Sequence, residues 1–233
     1  RPVETAARFL VGAGRALPAV VAPPPARERD LAIETLANEL GAATTHEQWA
    51  ELYDRMTTLA KGVRTTLVFV GTRRLAERVA FHLGERLGKD AVAAHHGSLA
   101  KERRLQAEQR LKAGELRVVV ATASLELGID IGTVDLVCLI GSVRSIGAAL
   151  QRIGRSGHAL AAVSRGRFFP MTRDQLLENA AIVRGARRAV IDSTVMRDAP
   201  LDVLAQQIVA IASSDDVGED EVLALVRRAA PYS

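Results

Sequence analysis

The chain has 233 residues, of which 48% are hydrophobic and 25% charged, a composition that excludes a disordered tail and allows one globular core with a small second unit. Aromatic residues make up only 3% of the chain and no run of about 18 apolar residues occurs, which disfavours base stacking and excludes a membrane-spanning helix. The net charge is +4, with 27 Arg against 4 Lys; guanidinium groups suit phosphate, but a GC-rich genome produces the same bias, so the excess supports a nucleic-acid partner only weakly.

The N-terminal part of the chain predicts a helix followed by a connector. Residues 1–13 have a helical pattern, and the run Pro23-Pro24-Pro25 predicts an extended segment. Trp49, Tyr53 and Met56 recur at helical spacing, which favours a packing role for them over a recognition role. The start at Arg1 rather than Met, without the pattern of a signal peptide, leads us to expect a piece of a longer cytoplasmic protein.

From residue 65 onward, apolar β-branched runs alternate with amphipathic stretches, which predicts βαβ units and a parallel sheet. Helices are expected over 72–87, over 99–114 with Gly114 as the C-cap, and over 145–155. A strand over 166–171 is expected at the sheet edge, because Pro170 cannot donate to a strand ladder. The predicted inner strands are TTLVFV (65–70), DAVAAHH (90–96), ELRVVVAT (115–122) and TVDLVCLIG (133–141).

The C-terminal part predicts two further helices, over 198–213 and 218–230, with no strands around them. The acidic stretch GEDEVL (218–223) resembles a nucleotide-hydrolysis box. Such a box has to follow a buried strand, whereas this one follows SSDDV. We therefore interpret its acidic residues as partners of the helix dipole.

Small or polar residues end each predicted strand, and in a parallel sheet these ends share one edge where ligands bind. The residues at this edge are Gly71-Thr72, His95-His96-Gly97-Ser98, Thr122 and Gly141-Ser142. We expect Gly97 and Ser98 to contact a phosphate, with Ser98 as a helix N-cap as the alternative. Adjacent His95 and His96 point to opposite faces of a strand, so no metal site is expected there.

Two arginines in QRIGRSGH (151–158) lie three residues apart, so that Arg152 and Arg155 share a face if the segment is helical. Each guanidinium fork suits bidentate contact with a phosphate or carboxylate. The sequence contains no G-x-x-x-x-G-K-[ST] phosphate loop, since Gly88-Lys89 is followed by Asp90. The arginines therefore have no phosphate loop of their own to serve.

The segment VVVATASLELGIDIG follows a predicted strand and carries Thr122, Gly128 and Asp130. A hydroxyl and backbone N–H groups at a strand end can hold a phosphate, and a carboxylate can accept hydrogen bonds from sugar hydroxyls. An ordinary connection between strands is the alternative for either residue alone. Combined with QRIGRSGH, the segment favours a nucleotide or nucleic-acid site.

Four segments in this order, TLVFVGTRRLAE, HHGSL, ATASLELGIDIG and QRIGRSGH, resemble motifs IV, IVa, V and VI of superfamily 2 helicases. SLELGIDIG, the GH ending and PLDVLAQQIVA resemble, more narrowly, the large helicase-related (Lhr) family of DNA helicases. The resemblance implies an α/β fold with a RecA-like parallel sheet flanked by helices, followed by an α-helical, winged-helix start. It assigns residues 1–40 to a connector, 41–197 to a second RecA-like domain and 198–233 to a truncated winged-helix domain.

The resemblance also implies roles for individual residues. Arg155 would be the arginine finger toward the ATP γ-phosphate, with Arg152 as its companion. Gly128 and Asp130 would face the nucleotide, and Thr72, Gly97, Ser98 and Thr122 would contact nucleic acid. One departure is His158, where many superfamily members have a second arginine, so a two-arginine clamp is not assumed.

The implied activity is that of an ATP-dependent helicase or translocase acting on single-stranded DNA or an RNA:DNA hybrid. ATP would be held mainly by a first RecA-like domain of the same polypeptide, together with Mg²⁺, so this segment alone is expected to be inactive. The competing interpretation is a non-catalytic nucleic-acid-binding module with a helicase-like fold, whose binding would not respond to ATP.

Overall fold

The computed structural model describes residues 3–21, 28–126, 132–157, 163–193 and 195–233. Contacts divide the chain into two compact units, Pro25–Val190 and Arg1–Pro24 with Ile191–Ser233. The expected domain boundaries at residues 41 and 198 remain predictions. The strand and helix bounds, in chain order, are α1 Val3–Val11, β1 Arg29–Ile33, α2 His46–Lys61, β2 Thr66–Phe69, α3 Arg73–Leu87, β3 Val92–His95, α4 Lys101–Lys112, β4 Val118–Ala121, β5 Leu136–Ile140, α5 Ile146–Ile153, β6 Ser164–Phe169, α6 Arg173–Arg187, α7 Leu201–Ala212 and α8 Glu219–Val226.

The unit Pro25–Val190 contains a sheet of six parallel strands in the order β1-β6-β5-β2-β4-β3. Strands β2, β4 and β5 are buried along their whole length, as expected for parallel strands covered on both faces. The predicted α/β fold is therefore confirmed.

Two strands differ from the sequence prediction. Strand β6 lies between β1 and β5, so the expectation that it forms the sheet edge was wrong. Pro170 follows the last residue of β6, and the missing N–H therefore costs no bond within the strand ladder. The edge is instead β1, which pairs residue by residue from Arg29↔Ser164 to Ile33↔Phe168. This pairing places part of the expected connector inside the sheet.

Helices cover both faces of the sheet with separate apolar clusters. Leu52, Met56 and Ala60 of α2 pack with Val79 and Leu83 of α3 on one face. The other face is covered by α4, α5 and α6 through Leu111, Ala149, Ile153, Ile182, Val183 and Ala186. The helical spacing of Trp49, Tyr53 and Met56 therefore reflects packing, since Tyr53 and Met56 belong to the first cluster and Trp49 packs against it.

Local signals explain where several helices begin and end. Thr45 and Gln48 form a capping box at the start of α2, and the Thr72 side chain caps α3. Helix α4 ends at its cap Ala113, followed by Gly114 with a φ of 72°, where glycine is favoured. Helix α5 is shorter than the predicted 145–155. Helix α6 was not predicted.

The second unit contains α1, α7 and α8. The N–H of Ala13, just after α1, donates to the carbonyl oxygen of Arg228 at 2.7 Å, and the Tyr232 hydroxyl donates to the carbonyl oxygen of Pro200 at 2.8 Å. Residues near both ends of the chain thus form one unit. Helix α8 has its three acidic residues, Glu219, Asp220 and Glu221, in the first turn, which confirms their dipole interpretation. No described helix is long and apolar enough to cross a membrane.

Candidate functional site

Three neighbouring strands end beside one another and carry the predicted nucleic-acid residues. The strand order β2-β4-β3 places Thr72, Thr122 and Gly97-Ser98 at one edge of the sheet, in that sequence. The N–H of Thr122 donates to the carbonyl oxygen of His95 at 3.2 Å, which ties the end of β4 to the end of β3. The structure therefore brings these four residues to one edge, as the sequence predicted.

A side-chain bond connects two of these strand ends. The Nη1 group of Arg73 donates to the hydroxyl of Ser98 at 2.9 Å, next to Thr72. Helix α4 is preceded by Ala100 as its N-cap, so the alternative role of Ser98 as an N-cap was wrong. Gly97 is exposed, and a Cβ there would meet no atom within 4 Å. The backbone at Gly97 is open to an approaching ligand.

His95, the last residue of β3, and His96, which follows it, face opposite sides of the sheet, as predicted. His95 Nδ1 lies 2.8 Å from the hydroxyl of Ser124, and its Nε2 lies 2.9 Å from Glu108. His96 Nε2 lies 2.8 Å from Glu77 of α3. Both imidazoles are buried. Within the described residues, no group of three or more His, Cys, Asp or Glu side chains could hold a metal ion.

The arginine pair lies at the end of α5. Arg152 is in the last turn of α5 and Arg155 is in the turn after it. Ser156 fixes this turn, because its buried hydroxyl lies 2.7 Å from the carbonyl oxygen of Ile153 and accepts a hydrogen bond from the N–H of Arg165 at 2.9 Å. The N–H of Gly157 donates to the carbonyl oxygen of Val134 at 3.1 Å. The turn is thereby attached to both β6 and the segment before β5.

Both arginines converge on Glu126, a residue that sequence reasoning missed. Arg152 Nε donates to Glu126 Oε1 at 2.6 Å, and Arg155 Nε donates to the main-chain carbonyl oxygen of Glu126 at 3.1 Å. The only available signal was a charged residue in the apolar stretch SLELGID. Gly128, Asp130 and His158 lie outside the described residues, so the expectations for them remain predictions.

Arg152 is held from two sides. Its guanidinium carbon lies 5.2 Å from the centre of the Phe69 ring, and Phe69 is fully buried in β2. The side chains of Arg152 and Glu126 are 16% and 17% exposed, respectively. A charged pair shielded in this way is ordered more firmly than one on the open surface.

Family models match both parts of the chain. The helicase conserved C-terminal domain matches residues 48–159, and the winged helix domain of large helicase-related proteins matches residues 184–233. The chain belongs to the large helicase-related (Lhr) family. Its sheet unit is therefore the RecA-like C-terminal domain of a superfamily 2 helicase, and residues 184–233 match the winged helix domain that follows in this family.

Individual relatives agree with this assignment to the Lhr family. The chain is 41% identical over 231 residues to ATP-dependent helicase Lhr-Core of Methanocaldococcus jannaschii, covering 99% of the chain and 27% of that protein. It is 45% identical over 212 residues to ATP-dependent helicase Lhr-Core protein 2 of Thermococcus barophilus, covering 89% of the chain and 24% of that protein. The chain thus spans about a quarter of the length of these curated relatives.

A solved structure also matches the Lhr chain. The Mycobacterium smegmatis helicase Lhr bound to ssDNA and AMP-PNP aligns with a TM-score of 0.87 and 39% identity, over 99% of this chain and 31% of that one. The resemblance that was based on four short motifs in the sequence is thereby confirmed for the fold and the family.

Proposed function

We propose that this chain is the second motor domain of an ATP-dependent DNA helicase or translocase. In this proposal it supplies the arginine finger and part of the grip on the nucleic-acid strand. The observation that carries the proposal is the convergence of Arg152 and Arg155 on Glu126, four residues after Thr122 at the end of β4, in a sequence without a phosphate loop.

The arginine pair accounts for hydrolysis in this proposal. Arg155 would reach the γ-phosphate of an ATP held by a first RecA-like domain of the same polypeptide, with Arg152 beside it and Gly128 and Asp130 facing the nucleotide. The much greater length of the relatives leaves room for such a domain. An arginine finger accelerates phosphoryl transfer roughly 10³- to 10⁵-fold by stabilising charge in the transition state.

ATP and Mg²⁺ fit the described residues to different degrees. Guanidinium forks with carboxylate and carbonyl partners suit phosphate oxygens. The described residues contain no acidic cluster suited to a divalent cation, so we assign Mg²⁺ mainly to the first domain. When bound, ATP with Mg²⁺ would supply the transferable phosphoryl group, and this chain would supply the positive charge facing it.

The nucleic-acid grip would come from the strand ends. Hydroxyl groups of Thr72, Ser98 and Thr122 and the open backbone at Gly97 are of the kind that contact phosphate and sugar without reading sequence. We propose single-stranded DNA or an RNA:DNA hybrid as the bound nucleic acid. The M. smegmatis relative, which was solved with ssDNA, supports this choice.

Closure of the two motor domains on ATP would bring Arg155 to the γ-phosphate, and reopening after hydrolysis would move the grip along the strand.

We place the protein in the cytoplasm, because its one cysteine, Cys138, is free and buried and a reducing compartment needs no disulfide.

The test uses the full-length polypeptide that carries this sequence. We expect single-stranded DNA to stimulate its ATP hydrolysis, and we expect AMP-PNP to change its affinity for a fluorescent oligonucleotide. A non-catalytic binding module would bind the oligonucleotide equally with and without AMP-PNP and would not hydrolyse ATP. That result would contradict the proposed motor function and support the non-catalytic binding module.

A further inference from the structure

Glu126 joins the two arginines of the proposed ATP site through different atoms. Its carboxylate oxygen Oε1 accepts from Nε of Arg152 at 2.6 Å and also contacts Nη2 of Arg152. Its main-chain carbonyl oxygen accepts from Nε of Arg155 at 3.1 Å, with Nη2 of Arg155 as a second donor. Glu126 therefore contacts both guanidinium groups.

The position of Glu126 is itself fixed by the sheet. It follows the short 3₁₀ turn Ala123–Leu125 at the end of β4, and its N–H donates to the carbonyl oxygen of Ala123 at 3.0 Å. The side chain of Leu125 is fully buried in the core. Glu126 is thus four residues from Thr122, so a single short segment links the proposed nucleic-acid contact to the arginine pair.

Shielding from solvent fixes the geometry of the ion pair between Glu126 and Arg152. The Glu126 and Arg152 side chains are mostly buried, and the Arg152 guanidinium also contacts the ring of Phe69. An exposed ion pair would reorient freely in water, whereas one that is shielded and held from two sides keeps its geometry. Catalysis by positioned charge depends on such preorganisation.

From this geometry we infer that Glu126 is a positioning residue, which aligns Arg152 and Arg155 toward the γ-phosphate and couples them to the strand contact at Thr122. The inference rests on the proposed function. It predicts that Glu126 acts on the rate of hydrolysis rather than on the binding of ATP or DNA. It also predicts that the effects of altering Glu126 and Arg152 overlap, because the two side chains work as one unit.

The test is Glu126→Gln in the full-length polypeptide, since glutamine keeps the size and the main-chain carbonyl but removes the charge. We expect the kcat of DNA-stimulated ATP hydrolysis to fall about 10- to 100-fold, the scale of a misplaced catalytic group. The KM for ATP and the Kd for a single-stranded oligonucleotide should stay within about twofold, the scale of a difference of a few tenths of a kcal/mol.

A double-substitution cycle tests the coupling. Arg152→Lys should lower kcat, and adding Glu126→Gln to it should lower kcat by less than Glu126→Gln does alone. Glu115→Gln is the matched control, because Glu115 is an exposed glutamate paired with Arg110 at 3.3 Å, outside the site. It should hydrolyse ATP like the unsubstituted protein.

Each outcome separates this inference from the proposed function. Unsubstituted protein that hydrolyses ATP with DNA, alongside Glu126→Gln with unchanged kcat or with fully multiplicative effects in the cycle, overturns the positioning role alone. Unsubstituted protein without DNA-stimulated hydrolysis overturns the proposed function and this inference with it. If Glu126→Gln does not fold, Glu126→Asp carries the test, because aspartate keeps the charge but shortens the reach to Arg152: lowered kcat at unchanged KM supports the positioning role, and unchanged kcat refutes it.

Discussion

Thr122 illustrates, at the scale of one residue, the proposed contact between the strand ends and nucleic acid. Its N–H donates to the carbonyl oxygen of His95. Its hydroxyl donates to the hydroxyl of Ser124 at 3.5 Å, a long and weak hydrogen bond that one to a phosphate oxygen can replace. Because the backbone bond fixes the residue, the side chain can be changed without moving the strand end.

We therefore predict that Thr122→Val in the full-length polypeptide raises the Kd for a single-stranded oligonucleotide about 3- to 10-fold, as loss of a hydrogen bond of about 1 kcal/mol implies. Fluorescence anisotropy measures this change. The control is Thr58→Val, since Thr58 is an exposed residue on α2 whose hydroxyl donates to the carbonyl oxygen of Asp54. Equal oligonucleotide affinities of the two variants would show that the Thr122 hydroxyl does not contact the bound strand.

Cys138 is a thiol whose reactivity is suppressed by burial in the core. Burial in β5 raises the pKa of the Cys138 thiol to about 12, with the Glu34 carboxylate adding to the effect. The folded chain therefore keeps this thiol protonated at pH values where an unfolded chain forms the reactive thiolate.

We predict that Cys138 in the folded chain does not react with a disulfide reagent between pH 7 and about 9, the model-peptide range of thiol titration, and reacts rapidly after denaturation in guanidinium. Absorbance of the released thiolate measures the rate. Reaction of the folded chain at the rate of a free thiol would show that β5 is not buried as described.

Strand β1 shows at the scale of an element how a sheet edge is held by charge. Arg167 of β6 donates from Nη1 and Nη2 to both carboxylate oxygens of Asp30, at 3.0 and 2.8 Å, and its Nε lies 3.4 Å from Glu34. The hydrogen bond from Arg167 lowers the pKa of Asp30, while burial opposes the shift.

Asp30→Asn should lower the free energy of unfolding by about 1 kcal/mol at pH 7, since a charged partner of Arg167 is lost. Because the folded Asp30 has a lowered pKa, its contribution is complete above about pH 4 and is lost as pH falls through the folded value. The difference between wild type and variant should thus shrink on acidification in urea titrations. A difference that stays constant between pH 7 and pH 3 would contradict this account.

Gly166 of β6 links the sheet to the arginine pair. A Cβ at this position would lie 2.8 Å from Cδ1 of Ile153 in α5 and 3.1 Å from Cδ2 of Leu31 in β1. Ile153 directly follows Arg152, so a side chain at Gly166 presses on the helix that carries the site.

We predict that Gly166→Ala destabilises the fold by about 1–3 kcal/mol, the usual cost of overpacking a core, and also lowers DNA-stimulated hydrolysis in the full-length polypeptide. Gly71→Ala is the control, because a Cβ there would meet nothing within 4 Å. If Gly166→Ala unfolded at the same urea concentration as Gly71→Ala, the close approach of α5 to β6 would be wrong.

The elements also show what the sequence could predict. Apolar runs and helical spacing located β2 to β5, α3 and α4, because these signals are local. The pairing of β1 with β6 joins residues more than a hundred positions apart and depends on charges such as Asp30 and Arg167, which no local pattern connects. Glu126 was missed for the same reason: its importance lies in meeting Arg152 and Arg155 across the fold.

At the scale of the whole molecule, the proposed function divides the work of a motor between two domains. This chain would provide positive charge at the γ-phosphate and contacts along the strand, while the first domain would hold the nucleotide. The division predicts that catalysis and binding can be separated by one substitution in this chain.

The most direct measurement is ATP hydrolysis by full-length Arg155→Ala with saturating single-stranded DNA. If Arg155 is the arginine finger, kcat falls about 10³-fold or more, while oligonucleotide affinity and AMP-PNP binding are retained. The control Arg184→Ala, which changes an exposed residue of α6, should show no loss. Hydrolysis by Arg155→Ala at the rate of the unsubstituted protein would contradict the account.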